Sequence, residues 1–136
     1  MIQRISYLTQ LQQWIDKPLV KILTGIRRSG KSTVLLLLKE VLLNKGILEN
    51  DIISINFESF TTEHLKNASS LYAHLTTQMT KEKKFYVLLD EIQEVKDWEK
   101  VINSLLVDYQ VDIYLTGSNS HLLSSELATY LAGRYI

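Results

Sequence analysis

The chain contains no cysteine. That excludes a disulfide framework and any thiolate metal site, and it suits a reducing cytoplasm, the expected location. Neither sign of charge is in excess, because 15 Lys and Arg balance 15 Asp and Glu. A global basic footprint for nucleic acid and an acidic tail are therefore both excluded, although a local basic patch is not. No apolar run is long enough for a membrane. The most apolar stretch, Val34 to Leu43, is broken by Lys39 and Glu40 and falls well short of the roughly 20 residues a spanning helix needs. Met1-Ile2-Gln3-Arg4 lacks the apolar core of a signal peptide. Internal repeats and low-complexity segments are absent as well. What remains is 136 residues, enough for one domain with a real core.

Glycine is sparse, yet two of the five glycines fall in one short stretch, Gly25-Ile26-Arg27-Arg28-Ser29-Gly30-Lys31-Ser32. It fits G-x-x-x-x-G-K-[ST], the phosphate-binding loop. Four fixed positions are matched by chance in roughly one window in 10⁴ to 10⁵, so the match carries weight by itself. The chemistry explains the residue types. Gly25 and Gly30 permit backbone angles that let the loop wrap an anion. Inward-pointing N–H groups join those at the start of the next helix, through Thr33, whose dipole favours negative charge. Lys31 brings a full charge to the outer phosphates, and the Ser32 hydroxyl suits Mg²⁺, a cation that prefers oxygen ligands. Arg27 and Arg28 either contact phosphate or anchor the loop to an acid.

The flanking pattern supplies the required context. Leu19 to Leu23 reads as a buried strand. Ser32 to Lys45 reads as a helix rich in Leu, stopping at the C-cap signal Asn44-Lys45-Gly46. Ahead of the strand, Leu8, Leu11 and Ile15 predict a leading helix over 6–16, closed by Pro18, the single proline. Strands are further expected at Asp51–Phe57, Phe85–Leu89 and Val111–Leu115. A second amphipathic helix is expected along Leu65, Ala68, Tyr72, Leu75 and Met79, and a third after Asp97, which can cap it. A last helix is expected from about Ser120 to Leu131. Lys81 to Lys84 reads as a solvated turn. Strands alternating with helices imply an α/β fold, a parallel sheet covered on both faces.

Strand three ends in Asp90-Glu91. An apolar strand ending in an acid is the Walker B pattern, and its acids reach the carboxyl edge of the sheet, where open α/β sheets bind ligands. Asp90 is expected to hold Mg²⁺ through water beside Ser32, and Glu91 to orient the attacking water and accept its proton. At the end of strand four, Ser118 or Asn119 is the candidate to sense the γ-phosphate; the alternative is that the cluster only turns the chain. Asn56 is either a partner that holds Glu91 back or a side chain satisfied at its own strand end, with Glu58 a competitor for the role. Arg134 either completes a neighbouring subunit's site or is a surface arginine. His64, His74 and His121 show no ligand spacing.

The segments GIRRSGKST, LLDEIQEVKDWEKVINSL and YLTGSNSHLLSSELATYLAGRY, with the leading Arg4-x-x-Tyr7, resemble the N-terminal AAA-type ATPase domain of a widespread prokaryotic family of predicted ATP-binding proteins. The resemblance covers nearly the whole chain. It implies the ASCE branch of P-loop NTPases, a three-layer αβα sandwich with sheet order 5-1-4-3-2, and ATP rather than GTP. It assigns Lys31, Ser32, Asp90, Glu91 and the Ser118-Asn119 pair the roles given above, within one AAA-type domain over 1–136 whose nucleotide-binding core is 19–136. Family members usually continue into a fifth strand, a winged-helix-like segment and an often nuclease-like C-terminal domain. This sequence stops at Ile136, where that strand is due, so it is expected to be a fragment, with DNA or a protein client and any homo-oligomer engaged through the missing part. The expected function is Mg-dependent ATP hydrolysis as a motor or switch module. The competing classes are a nucleotide-gated DNA- or protein-binding module and a small-molecule kinase. A kinase has no need of a water-activating Glu91 directly after the Mg²⁺ acid.

Overall fold

The computed structural model describes residues 2–23 and 28–117, and of residues 2–7 and 28–33 it describes the backbone alone. The elements in chain order are α1 (Ile2–Trp14), β1 (Lys21–Leu23), α2 (Arg28–Asn44), β2 (Ile52–Asn56), α3 (Ala68–Thr76), β3 (Phe85–Asp90), α4 (Trp98–Asp108) and β4 (Val111–Thr116). Four strands form one sheet in the order β1-β4-β3-β2, with every pairing parallel. This is the expected arrangement, with strand four inserted between the phosphate-loop strand and the Walker B strand.

Successive strand side chains face opposite ways, and each set finds its own layer. Ile53, Ile55, Phe85, Val87, Leu89, Ile113 and Leu115 pack with Leu71 and Leu75 of α3 and with Trp98, Val101, Ile102 and Leu105 of α4. Leu23, Tyr86, Leu88 and Tyr114 pack on the other face with Leu11 and Ile15 and with Val34, Leu35, Leu38 and Leu42 of α2. The result is a three-layer αβα sandwich. No helix among the described residues is long and apolar enough to cross a membrane.

Several boundaries differ from the sequence expectation, each for a local reason. The leading helix spans Ile2–Trp14 rather than 6–16. It stops before Pro18 because Asp16 takes a left-handed backbone, φ 66°, and donates its N–H to Asp112 Oδ2 at 2.9 Å. The expected continuous helix from Leu65 to Met79 is split. Leu65 ends a 3₁₀ turn, and Asn67 restarts the chain by accepting from Ser70 N–H with its side chain, as a preferred N-cap residue does. Asp97 stands at the N-cap of α4 but makes no side-chain cap bond there. The end of α2 follows the Gly46 signal. Gly46 has φ 96°, and the bonds Gly46 N–H to Leu43 O and Ile47 N–H to Leu42 O form a Schellman stop.

The amino edge of the sheet carries a polar network that the sequence reading did not anticipate. Lys21 and Asp112 are both buried, and Lys21 Nζ lies 2.5 Å from Asp112 Oδ1. Asp112 also accepts from Tyr114 Oη at 2.6 Å, and Lys21 donates to Lys17 O at 2.7 Å. Tyr86 Oη donates to Asp16 Oδ1 at 2.6 Å, where Lys84 Nζ approaches within 2.7 Å. The Lys81–Lys84 turn is thus only partly a solvated run: Lys83 pairs with Asp51 and Lys84 with Asp16. Burial depresses the pKa of Lys21 below the ordinary lysine value, against the pull of Asp112. Burial alone would raise the pKa of Asp16, but the hydrogen bonds from Lys84 and Tyr86 hold it low. Burial, with the carboxylates of Asp16 and Asp112 beside them, raises both phenols.

Asp112→Asn is expected to destabilise the fold by about 3–5 kcal/mol, the cost of stranding a buried charge when its partner is lost. Adding Lys21→Met should recover part of the loss, with urea midpoints as the readout; a single variant as stable as wild type would mean the pair contributes nothing. The raised phenols set a second expectation. Unfolded tyrosines release protons from about pH 10, while folded Tyr86 and Tyr114 keep theirs. Their contribution is therefore whole below pH 10 and lost as pH rises above it. The decline is at most about 1.4 kcal/mol per pH unit for each tyrosine. Tyr114→Phe should make the fall of stability with pH above 10 shallower, and an unchanged slope would refute the assignment.

Candidate functional site

Because all four strands run the same way, their carboxyl ends share one edge. Leu23 stands beside Thr116, Leu89 beside Leu115, and Asn56 beside Asp90. The last row of the sheet therefore reads Leu23, Thr116, Asp90, Asn56 from one side to the other. Only four residues separate the end of β1 from the start of α2. The five steps from Leu23 to Arg28 span at most about 18 Å, so the N-terminus of α2 cannot lie far from this edge. Arg28, Ser29, Gly30, Lys31, Ser32 and Thr33 open α2. The helix begins four residues before the expected Ser32, so the second half of the phosphate-loop motif is helical backbone. The first four N–H groups of a helix lack partners within it and favour an anion.

Strand alternation decides which way the acids point. Tyr86 and Leu88 face α2, and Asp90 continues their series, as Thr116 continues that of Asp112 and Tyr114. Both side chains are thus on the α2 side. Asp90, Glu91 and Thr116 are all buried. Thr116 joins the two acids: its hydroxyl donates to Asp90 Oδ1 and accepts from the Glu91 N–H at 2.9 Å. Leaving that buried N–H without an acceptor would cost about 1–3 kcal/mol.

Glu91 leaves the strand in a left-handed conformation, φ 61° and ψ 52°, costing about 1–3 kcal/mol for a residue with a Cβ. The surroundings enforce it. Besides the bond to Thr116, the Glu91 carbonyl accepts from Glu94 N–H at 3.1 Å, and Glu91 Oε1 accepts from Gln93 Nε2 at 2.6 Å. Of the two roles open to Asn56, that of a partner of Glu91 is not the one seen. Its Oδ1 instead accepts from the Glu58 N–H at 2.9 Å, the alternative of a side chain satisfied at its own strand end.

The donor set suits Mg²⁺. This ion takes one or two protein oxygens and completes its shell with phosphate and water, so a buried carboxylate at the edge, facing the helix that carries Ser32, is the chemistry required. The structure brings together the helical part of the phosphate-loop motif and the acid pair on one edge. Gly25, Ile26, Arg27, Ser118, Asn119 and Arg134 lie outside the described residues. Thr116 and Gln93 were missed by the sequence reading. Parity was the available signal for Thr116: it stands two residues after Tyr114, on the face of the sheet that Asp90 shares.

Comparison with known proteins places this geometry in context. An uncharacterized protein of Haemophilus influenzae is 44% identical over 137 aligned residues, which cover all of this chain and 34% of that protein. An uncharacterized protein of Methanocaldococcus jannaschii is 37% identical over 117 residues, covering 85% of this chain and 24% of that protein. The chain thus spans about a third or less of the curated relatives it matches. The family model described as an AAA domain matches residues 17–136. From the first strand onward, sequence and sheet order agree: the chain belongs to the AAA domain family of nucleotide-binding, ATPase-type modules.

Proposed function

We propose that the chain binds ATP with Mg²⁺ at the carboxyl edge and hydrolyses it, as the motor or switch module of a longer protein. The observation that carries this reading is the buried acid pair at the tip of β3, tied to Thr116 on the face that α2 covers. In this reading the loop from Gly25 to Gly30 and the first N–H groups of α2 cradle the phosphates, and Lys31 meets the outer ones. Bound Mg²⁺, held by Ser32 and Asp90, would neutralise phosphate charge. Glu91 orients a water for in-line attack on the γ-phosphorus and takes its proton. Glu91 stands past the end of the strand in a left-handed conformation, and in this reading the two adjacent acids serve two tasks.

Ser118 or Asn119, two and three residues after Thr116, is assigned to contact the γ-phosphate. Arg134 is assigned to complete the site of a neighbouring copy, a contribution of about 10³ to 10⁵ in rate where an arginine acts as a finger. The client, DNA or protein, belongs to the same proposal.

Lys31→Ala is expected to abolish Mg-ATP binding measured by calorimetry, because several phosphate oxygens lose their cation. Unchanged affinity would sink the phosphate-loop assignment. In the complete protein, Glu91→Gln should keep ATP binding and reduce turnover by at least about 10²-fold, the lower range for loss of a general base. Asp90→Asn should instead weaken binding only when Mg²⁺ is present. Normal turnover by the Glu91→Gln variant would move the base elsewhere.

A further inference from the structure

We infer that Thr116 is the positioning residue of the acid pair: its one hydroxyl aligns the Asp90 carboxylate and the Glu91 backbone together, and so sets how strongly the site gains from Mg²⁺ when it binds a nucleotide. The inference rests on the nucleotide-site reading above and extends it to a residue that lies outside both the phosphate-loop motif and the Walker B acids.

A threonine hydroxyl has one hydrogen to donate and lone pairs to accept. Here the Glu91 N–H fills the acceptor side at 2.9 Å, so the single hydrogen is directed to Asp90 Oδ1. The bonds run in one direction, from peptide N–H through hydroxyl to carboxylate, and such chains strengthen one another. All three residues are buried, where a hydrogen bond is electrostatically stronger than in water. Thr116 is also well suited to hold a direction. It is β-branched and sits in a strand, so its χ1 is restricted, and its side chain has no exposed surface.

The neighbours of Thr116 connect it to the other half of the site. Thr116 lies in register with Leu23, and the next residue, Gly117, donates its N–H to Leu23 O at 3.4 Å. Leu23 is the last residue of β1 before the phosphate-loop motif. The tip of β4 is therefore bonded on one side to the acid pair and on the other to the strand that delivers the phosphate loop. A shift of the acids relative to β1 would strain this tip, and the hydroxyl is a side-chain link that resists it. A ligand carboxylate is commonly oriented by such an outer partner, whose loss lowers metal affinity.

The test separates positioning from mere packing. ATP affinity is measured by calorimetry on the complete protein with Mg²⁺ and with EDTA, and the ratio of the two is the gain from the metal. In Thr116→Val the ratio should fall about tenfold or more while the EDTA affinity stays within about twofold; Thr116→Ser should keep most of the ratio. Thr116→Ala is run beside Thr116→Val. It removes the hydroxyl without setting a methyl against the acids, and whichever folds by circular dichroism carries the test. A lower melting temperature with an unchanged ratio would overturn the inference, since a packing role alone predicts that result. So would an equal loss with and without Mg²⁺. Wild-type protein that binds ATP no better with Mg²⁺ than with EDTA, or not at all, would overturn the nucleotide-site reading itself and this inference with it.

Discussion

One constraint underlies the rest: the four strands are parallel, and β4 lies between β1 and β3. A parallel strand cannot return by a tight turn, so each connection crosses over, by a helix wherever the described chain shows it. Every helix that follows a strand therefore begins at the same edge. That edge collects the free N–H groups of α2 and the acids that end β3. The insertion of β4 matters as much. It keeps the strand that leads into the phosphate-loop motif and the acid-bearing strand two strand spacings apart, about 9–10 Å, and in the proposed function this is the gap above which a nucleotide's phosphates sit. The side chain that fills the gap is Thr116, small enough to lie beneath a ligand and polar enough to hold the acids.

The opposite edge is built on different physics. There Lys21, Asp112, Tyr114, Asp16, Tyr86 and Lys84 tie the starts of β1, β3 and β4 to the end of α1. A buried ion pair of this kind is weak evidence for stability, because desolvation offsets much of its attraction. Its geometry supplies direction instead. Asp112 accepts from Lys21, from Tyr114 and from the backbone of Asp16, so β4 displaced along its axis would break the bonds to Lys21 and Asp16 at once, while Tyr114, on the same strand, moves with Asp112. α1 is thereby fixed at its C-terminal end, and its Leu11, with Ile15 just past that end, joins the same apolar cluster as Val34, Leu35, Leu38 and Leu42. The helix that opens in the phosphate-loop motif rests on a surface anchored from below.

The architecture was legible in the sequence because its signals were local and repeated. Four apolar runs, each bounded by helical spacing or turn residues, marked the strands, and the phosphate-loop motif set the direction of the first crossover. Strand order came from the resemblance and could not have come from periodicity, which says nothing about which strands are neighbours. Asp90 and Glu91 could be singled out because an acid at the end of an apolar strand stands out from its surroundings. Thr116 did not stand out: a threonine in a strand is ordinary until the strand beside it is known. Lys21 did not stand out either: it lies inside a run that reads as a buried strand, and only the pairing of β1 with β4 reveals a carboxylate placed to receive it. Helix ends were the least readable feature, since the stop at Trp14 depends on a backbone bond to a residue 96 positions from Asp16.

The alternation that turns Asp90 toward α2 also limits how this sequence can change in length. Deleting or adding a single residue within β3 would carry Asp90 to the face lined by α3 and α4, into a layer built of Phe85, Val87, Leu89 and Trp98. Changes of two residues would restore the facing but move the acid past the end of its row. The connections are freer: the turn through Lys81, Glu82 and Lys83 is exposed and outside regular structure, and its length has no bearing on parity. Insertions and deletions among homologous chains should therefore gather in such turns, while the spacing from Phe85 to Asp90 stays at six residues.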